Sequence, residues 1–296
     1  MSSVDTTYET YADDPGYIAA NAALIGEIDL TDVTRVADLA CGTGLLSRQL
    51  LARDPGLVIA GIDLDPIQIE IAGRMHGEAN VNAFDSLDAW RAAAGTGKGG
   101  VHLNVASAME LPFADNEIDL VTIGNAIHMM PDLPAFLNEV ARVLRPGGQL
   151  VFNSVFYAGT FIEGTEPVFT ECLKEAVLVM TKMNAERRAA GERPIPRIRG
   201  TVGRAFQTDW LNAKEWGEAV NAAGFSVKSS GDRVMPISTE AMQAICSYGG
   251  LAEVLMSGYP VDIASQCLHT GIGNAFKNLD IEEVPRNWLE IIAVLK

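Results

Sequence analysis

A buried strand running straight into a glycine-rich turn is the feature that most constrains this chain. In Val36-Ala37-Asp38-Leu39-Ala40-Cys41-Gly42-Thr43-Gly44, apolar Val36, Ala37 and Leu39 fit a short strand. Gly42 and Gly44 then permit backbone conformations and close approaches that a Cβ would block. The run Leu45-Leu46-Ser47-Arg48-Gln49-Leu50-Leu51 follows with apolar residues at helical spacing, so the turn opens a helix whose free N–H groups face a ligand. Strand, turn and helix make the first half of a βαβ unit, a nucleotide-binding device.

Two details select the nucleotide. A dinucleotide turn has the form G-x-G-x-x-G, its third glycine letting helix and strand pack closely, but the third position after Gly44 is Ser47. This counts against an NAD-dependent oxidoreductase. Asp38, inside the strand, has no role in pyrophosphate binding and is explained by a cationic ligand. Twenty-one residues after Gly42, the apolar run Leu57–Ile62 ends in Asp63, where a carboxylate takes the two hydroxyls of a ribose. An adenosine with a positive tail suits both acids.

Asp38-x-Ala40-x-Gly42-x-Gly44 resembles motif I of the class I S-adenosylmethionine-dependent methyltransferases. Gly61-Ile62-Asp63-Leu64-Asp65 is similar to that family's second strand, and Leu111-Pro112-Phe113 with Ile118-Asp119-Leu120-Val121 to its approach to strand four, Ile118 standing for the usual Phe. Glu139–Gly148 resembles the helix and turn before strand five. Together the motifs cover residues 34–155. The resemblance implies an α/β fold, Rossmann-like and doubly wound, with a seven-stranded mixed sheet and a helical cap over the active site. It implies S-adenosylmethionine as cofactor, S-adenosylhomocysteine as product, and a cofactor site of Asp38, Ala40, Cys41, Gly42, Gly44, Asp63, Leu64, Ser107, Ala108, Met109 and Asn125. Ser107 stands where the family commonly has an acid for the adenine amino group. A hydroxyl accepts that bond without charge assistance, which leaves more of the adenine's hold to packing against Leu64 and Met109.

At 296 residues the chain exceeds what such a domain needs. The reading is an N-terminal helical cover over 1–33, the cofactor core at 34–155, a substrate cap at 156–208, and the rest of the core at 209–296 with a helical insertion at about 238–280. Within this, Phe225–Ser229 reads as a strand, Thr239–Lys277 as two helices, and Trp288–Leu295 as a final strand. The resemblance makes that last strand antiparallel and places it at the sheet's end. With 48% hydrophobic residues but no apolar run of membrane-spanning length, no membrane insertion is expected. A start without basic and apolar signal regions points to the cytoplasm. Cys41, Cys172, Cys246 and Cys267 are scattered, which argues against disulfides and zinc. Oligomeric state is open, a homo-oligomer included.

A net charge of −16 repels nucleic acid. Against that background, Lys182, Arg187, Arg188, Arg193, Arg197, Arg199 and Arg204 gather seven of the 22 cations into one segment. They form either a solvated face that neutralises neighbouring acids or a mouth for a small anionic substrate. Strand four ends in Thr122–His128, so Asn125 and His128 emerge at the carboxyl edge of the sheet, where open α/β sheets bind ligands. His128 is the candidate base for an oxygen or nitrogen acceptor, since imidazole titrates near neutrality. Its alternative is a packing role.

The presumed cap adds aromatics, among them Phe161, Phe169 and Trp210, to the acid Glu171 and the basic cluster, with Arg197 and Arg199 as its substrate-facing members. That mixture suits a largely apolar, anionic metabolite such as a prenyl diphosphate, which would bring Mg2+ with it. Acyl and phenolic acids are the alternatives. Methylating an alkene creates a cation that Trp210 would stabilise and that Glu171 would quench by taking a proton. The other readings are O- or N-methylation with His128 as base, and a non-methylating relative that cyclises or only binds.

Overall fold

The computed structural model describes residues 12, 14–198 and 210–296. They divide into two compact units interleaved in sequence. The first comprises Ile18–Thr160, Leu211–Arg233 and Trp288–Lys296. The second comprises the described residues of Met1–Tyr17, Phe161–Trp210 and Val234–Asn287.

A seven-stranded sheet organises the first unit. Its strands are β1 (Arg35–Leu39), β2 (Val58–Asp63), β3 (Gly100–Val105), β4 (Ile118–Gly124), β5 (Leu144–Ser154), β6 (Phe225–Ser238) and β7 (Glu283–Leu295). Their spatial order is β3-β2-β1-β4-β5-β7-β6. Strands β3 to β5 run parallel in that order, and β7 is antiparallel to β5, with Leu150 opposite Ala293. This is the Rossmann-like mixed sheet that the motifs imply. The antiparallel strand lies between β5 and β6 rather than at the edge. The central strands are covered on both faces, which is why they read as near-continuous apolar runs: Val36, Ala37 and Leu39, and Val58 to Ile62, are all buried.

Helices flank the strands. They include α1 (Pro15–Glu27), α2 (Leu45–Arg53), α3 (Pro66–Glu78), α4 (Leu87–Ala93) and α5 (Leu133–Val143). Helix α2 buries Leu45, Leu46, Leu50 and Leu51. Each such side chain withdrawn from water contributes roughly 1.5–3 kcal/mol. Side-chain caps start the helices that follow: Asp65 accepts from Ile67 N, Ser86 from Ala89 N and Asp132 from Ala135 N. Helix α7 (Ala213–Ala222) opens on a reciprocal capping box between Asn212 and Glu215.

The second unit is built around α6 (Glu166–Ala189), α8 (Thr239–Ser247), α9 (Gly249–Leu255) and α10 (Val261–Leu279). Val168, Cys172, Ala176 and Met180 form a buried stripe on α6 at spacing four. Gly271 of α10 brings the helices close, for a Cβ there would stand 2.7 Å from Ala176 N and 2.8 Å from Cys172 O. The region read as two helices holds three, because Tyr248 takes an extended conformation between α8 and α9. Strand β6 runs to Ser238, well past the expected end at Ser229. Among the described residues no helix is long and apolar enough to cross a membrane.

Candidate functional site

The glycine turn is held in a shape that side chains rarely permit. Ala40, Gly42 and Gly44 have φ values of 49°, 51° and 76°, in the left-handed region. Gly44 caps α2 without any side-chain bond. Cys41 N donates to Ile62 O at 3.0 Å and Gly42 N to Asp63 Oδ2 at 2.8 Å, so the turn is tied to the end of β2. Asp63 Oδ1 accepts from Asp65 N at 2.9 Å. A carboxylate offers about four acceptor positions, so two backbone bonds leave Asp63 able to accept from a ligand's hydroxyls. Beyond it the chain exposes apolar surface: Leu64 is 71% exposed, Ile67 61% and Val105, at the end of β3, 49%. The half-buried Cys41 thiol is pushed up by burial first and then by the charges of Asp38 and Asp63, which keeps it protonated.

Asp38 is enclosed by donors of the protein itself. It is 1% exposed; its Oδ2 accepts from Ser47 Oγ at 2.6 Å and Ser47 N at 3.2 Å, and its Oδ1 from Thr122 Oγ1 at 3.1 Å. The carboxylate therefore clamps β1 to the first turn of α2 and to β4. Ser47, the residue that replaces the third glycine, is the clamp's other half. Burial raises Asp38 from 3.8 to about 6 against these hydrogen bonds. An acid raised in the folded state favours folding in its protonated form, so this site costs stability as pH rises from about 4 to about 6. Asp38→Asn should remove that slope, and thermal unfolding should show the variant gaining on the parent as pH climbs through this window. Parallel pH profiles for the two proteins would refute this account of Asp38.

Ser107 Oγ accepts from Met109 N at 3.1 Å, Ala108 is buried and Met109 half-buried. Asn125, at φ 50°, donates its backbone N–H to Asn153 Oδ1 at 2.8 Å, and its own Oδ1 accepts from Val155 N at 3.0 Å. Its side chain thus joins the ends of β4 and β5. His128 sits in the short 3-10 turn Ile127–Met129, its Nδ1 3.3 Å from Ser154 Oγ and its ring 4.0 Å from that of Phe156. Burial pushes its imidazole down to about 4. The ionisation expected near neutral pH is therefore displaced downward, and His128 is a neutral, weakly basic group at pH 7.

In the second unit Phe169 and Trp210 meet through Phe161. The Phe161 ring stands edge-on to Phe169 with centroids 5.5 Å apart and stacks on Trp210 at 6.4 Å. Arg286, a residue that sequence reasoning missed, places its guanidinium carbon 4.2 Å from the centres of both phenyl rings. Phe161 is 48% exposed, so the group keeps an open apolar face.

Glu171 is not part of this group. Two residues on a helix turn the side chain by about 200°, and Glu171 bonds Asn278 Nδ2 at 2.8 Å and Lys174 Nζ at 3.0 Å. Those partners, Asn278 first, hold its carboxyl below the usual range, the reverse of what a proton acceptor beside Trp210 needs. Arg197 also turns to the protein: its Nε donates to Ser257 O at 3.1 Å and its guanidinium carbon lies 5.2 Å from the Tyr259 ring centre. Arg187 donates to Arg193 O and pairs with Glu192. Arg199 and Arg204 lie outside the described residues. Among the described residues no three His, Cys, Asp or Glu side chains converge as a metal site.

A parallel sheet with a reversed strand beside β5, a left-handed glycine turn after β1 and an acid ending β2 define a class I, Rossmann-like methyltransferase domain. Residues 37–152 match the family model described as a methyltransferase domain, and this segment belongs to the class I S-adenosylmethionine-dependent methyltransferases. The chain is 36% identical over 131 residues to a demethylmenaquinone methyltransferase of Lactiplantibacillus plantarum, covering 43% of this chain and 47% of that one. It is 38% identical over 117 residues to the ubiquinone/menaquinone biosynthesis C-methyltransferase UbiE of Dinoroseobacter shibae, covering 40% of each. The chain thus spans less than half the length of these curated relatives. Among solved structures, the YcgJ protein from Bacillus subtilis aligns with a TM-score of 0.53 at 16% identity over 94% of this chain and 99% of that one. The [4+2]-cyclase SpnF aligns at 0.50 and 20% identity, over 94% and 81%.

Proposed function

We propose that this protein moves a methyl group from S-adenosylmethionine to a carbon atom of a small, largely apolar, isoprenoid acceptor, a prenyl diphosphate being the most specific form. The cofactor half rests on one observation: Asp63 retains acceptor positions at the end of β2, beside Leu64 and Ile67, which are 71% and 61% exposed among the described residues. A carboxylate for a ribose diol next to bare apolar surface for a base is what an adenosine requires. When bound, the cofactor supplies an electrophilic methyl on a positively charged sulfur. The backbone of Ala40–Gly44 would lie against it, Asp63 would take its ribose, and Leu64, Ala108 and Met109 would pack its adenine.

The acceptor half rests on Phe161, Phe169 and Trp210, which suit an apolar body. The similarity to the C-methyltransferase UbiE supports carbon as the methylated atom. His128 supports it as well, because an imidazole pushed down to about 4 is a poor proton acceptor at neutral pH for an oxygen or nitrogen nucleophile. A methylated carbon must lose its proton afterwards. Glu171, tied to Lys174 and Asn278, is not poised to take it. Should the acceptor be a diphosphate, Mg2+ would accompany the substrate.

The experiment is to incubate the protein with methyl-labelled cofactor and a panel of a prenylated quinol, a prenyl diphosphate with and without Mg2+, and a phenolic acid. S-adenosylhomocysteine should appear with an isoprenoid acceptor, with the label on carbon by NMR. A label on oxygen or nitrogen would overturn the carbon reading. Cofactor binding without turnover of any acceptor would favour a non-methylating role. Trp210→Ala should raise the acceptor KM by about tenfold, the equivalent of 1.4 kcal/mol, without changing S-adenosylhomocysteine affinity. An unchanged KM would remove Trp210 from the acceptor site.

A further inference from the structure

We propose that His76 is a positioning residue for the cofactor turn, its neutral imidazole forming the wedge that sets the Gly42–Gly44 backbone in its ligand-ready shape. The proposal rests on the cofactor reading above and adds to it a residue on another element, the last turn of α3.

The ring is 2% exposed and lies against the turn so closely that a Cβ on Gly44 would stand 2.3 Å from its Cε1 and 3.1 Å from its Nδ1. Ala72 O is 2.7 Å from Nδ1. A carbonyl only accepts, so Nδ1 carries the proton and Nε2 is the bare acceptor. Nε2 is buried and has no partner among the described residues. The side chain is thus oriented by one bond to its own helix while its ring edge bears on Gly44. Protonation would place a second N–H, without an acceptor, in a buried site that already feels the charge of Arg48 on α2. Burial, and then Arg48, hold the imidazole below its usual range accordingly. Arg48 in turn donates to Thr43 O at 2.6 Å, so both groups grip the same turn. The other titratable groups at the turn are Asp38, Cys41 and Asp63, which every His76 variant keeps.

Folding in the neutral form gives the sign. The contribution of His76 is complete above its ordinary value of 6.5 and falls away as pH drops below it.

The test is calorimetric titration of the full chain with S-adenosylhomocysteine for the parent, His76→Ala and His76→Gln, from about pH 8 down to about pH 5.5, the range in which histidine titrates. His76→Ala leaves the turn unsupported and should weaken binding about tenfold or more at pH 8, a loss of 1.4 kcal/mol. His76→Gln, which keeps a neutral side chain of similar length with an N–H donor, should restore most of that affinity. Followed by thermal unfolding over the same range, acidification should cost the parent more stability than His76→Gln; Asp38 titrates in both and cancels in the comparison. An affinity for His76→Ala within about twofold of the parent, or the same pH dependence of stability in His76→Gln as in the parent, would overturn the proposal. A parent that does not bind S-adenosylhomocysteine at all would instead overturn the cofactor reading.

Discussion

Gly44→Ala is expected to abolish measurable cofactor binding while the sheet unit still folds. Two independent effects act at that position. At φ 76° the new methyl group makes a left-handed residue unfavourable by about 1–2 kcal/mol. It also falls 2.3 Å from the His76 ring, which is fully enclosed and has nowhere to retreat. Relief requires moving the turn, and the turn is the surface on which the nucleotide rests. A loss of about a hundredfold or more, roughly 2.7 kcal/mol, should appear in titrations with S-adenosylhomocysteine. Gly26 is the matched control. It lies within α1 with nothing within 4 Å of an added Cβ, so Gly26→Ala should bind as the parent does and gain about 0.5–1 kcal/mol of stability. Parent-like binding by Gly44→Ala would mean that the ligand does not rest on this backbone.

The second large effect is expected at Asp63. Asp63→Ala removes the acceptor for Gly42 N and Asp65 N together with the charge held ready for a ribose diol. A hydrogen bond to a charged group is worth about 1.5–3 kcal/mol, and the affinity for S-adenosylhomocysteine should fall by that amount. Asp63→Asn keeps the shape and one acceptor oxygen, so it should fall in between. Unchanged affinity in Asp63→Ala, or tighter binding of NAD than of S-adenosylhomocysteine by the parent, would sink the nucleotide assignment.

The sheet unit was legible because its signals are local. Four short motifs, each a strand end or a turn, carry their own backbone requirements, and Gly42 and Gly44 do adopt the left-handed conformations for which glycine is needed. Partnerships were less legible, because hydrogen bonds cross long sequence separations. Asp38 reads as a ligand group until Ser47 and Thr122 are seen to enclose it. Glu171 and Trp210 read as a pair because both lie in the presumed cap, but helical phase sends Glu171 to Asn278. Arg286 carried no signal, since nothing near it in sequence announces that Phe161 and Phe169 will both come to 4.2 Å from its guanidinium carbon. His76 belongs to none of the four motifs; the constraint it satisfies is written in the backbone angle of Gly44, thirty-two residues away.

The position of β7 between β5 and β6 bears on how the protein reaches its folded state. Strand β5 ends at Ser154 and its antiparallel partner begins at Glu283, with the whole helical segment α6 and α8–α10 emerging between them. The parallel half of the sheet, β1 to β5, is complete within residues 35–154, whereas its β5 edge is paired by a strand that begins at Glu283. Such long-range closure slows folding and leaves an apolar strand edge available to other chains meanwhile. Refolding from denaturant should therefore show an early phase in which the β1–β5 half forms and a slower, concentration-sensitive phase in which Trp288 becomes buried.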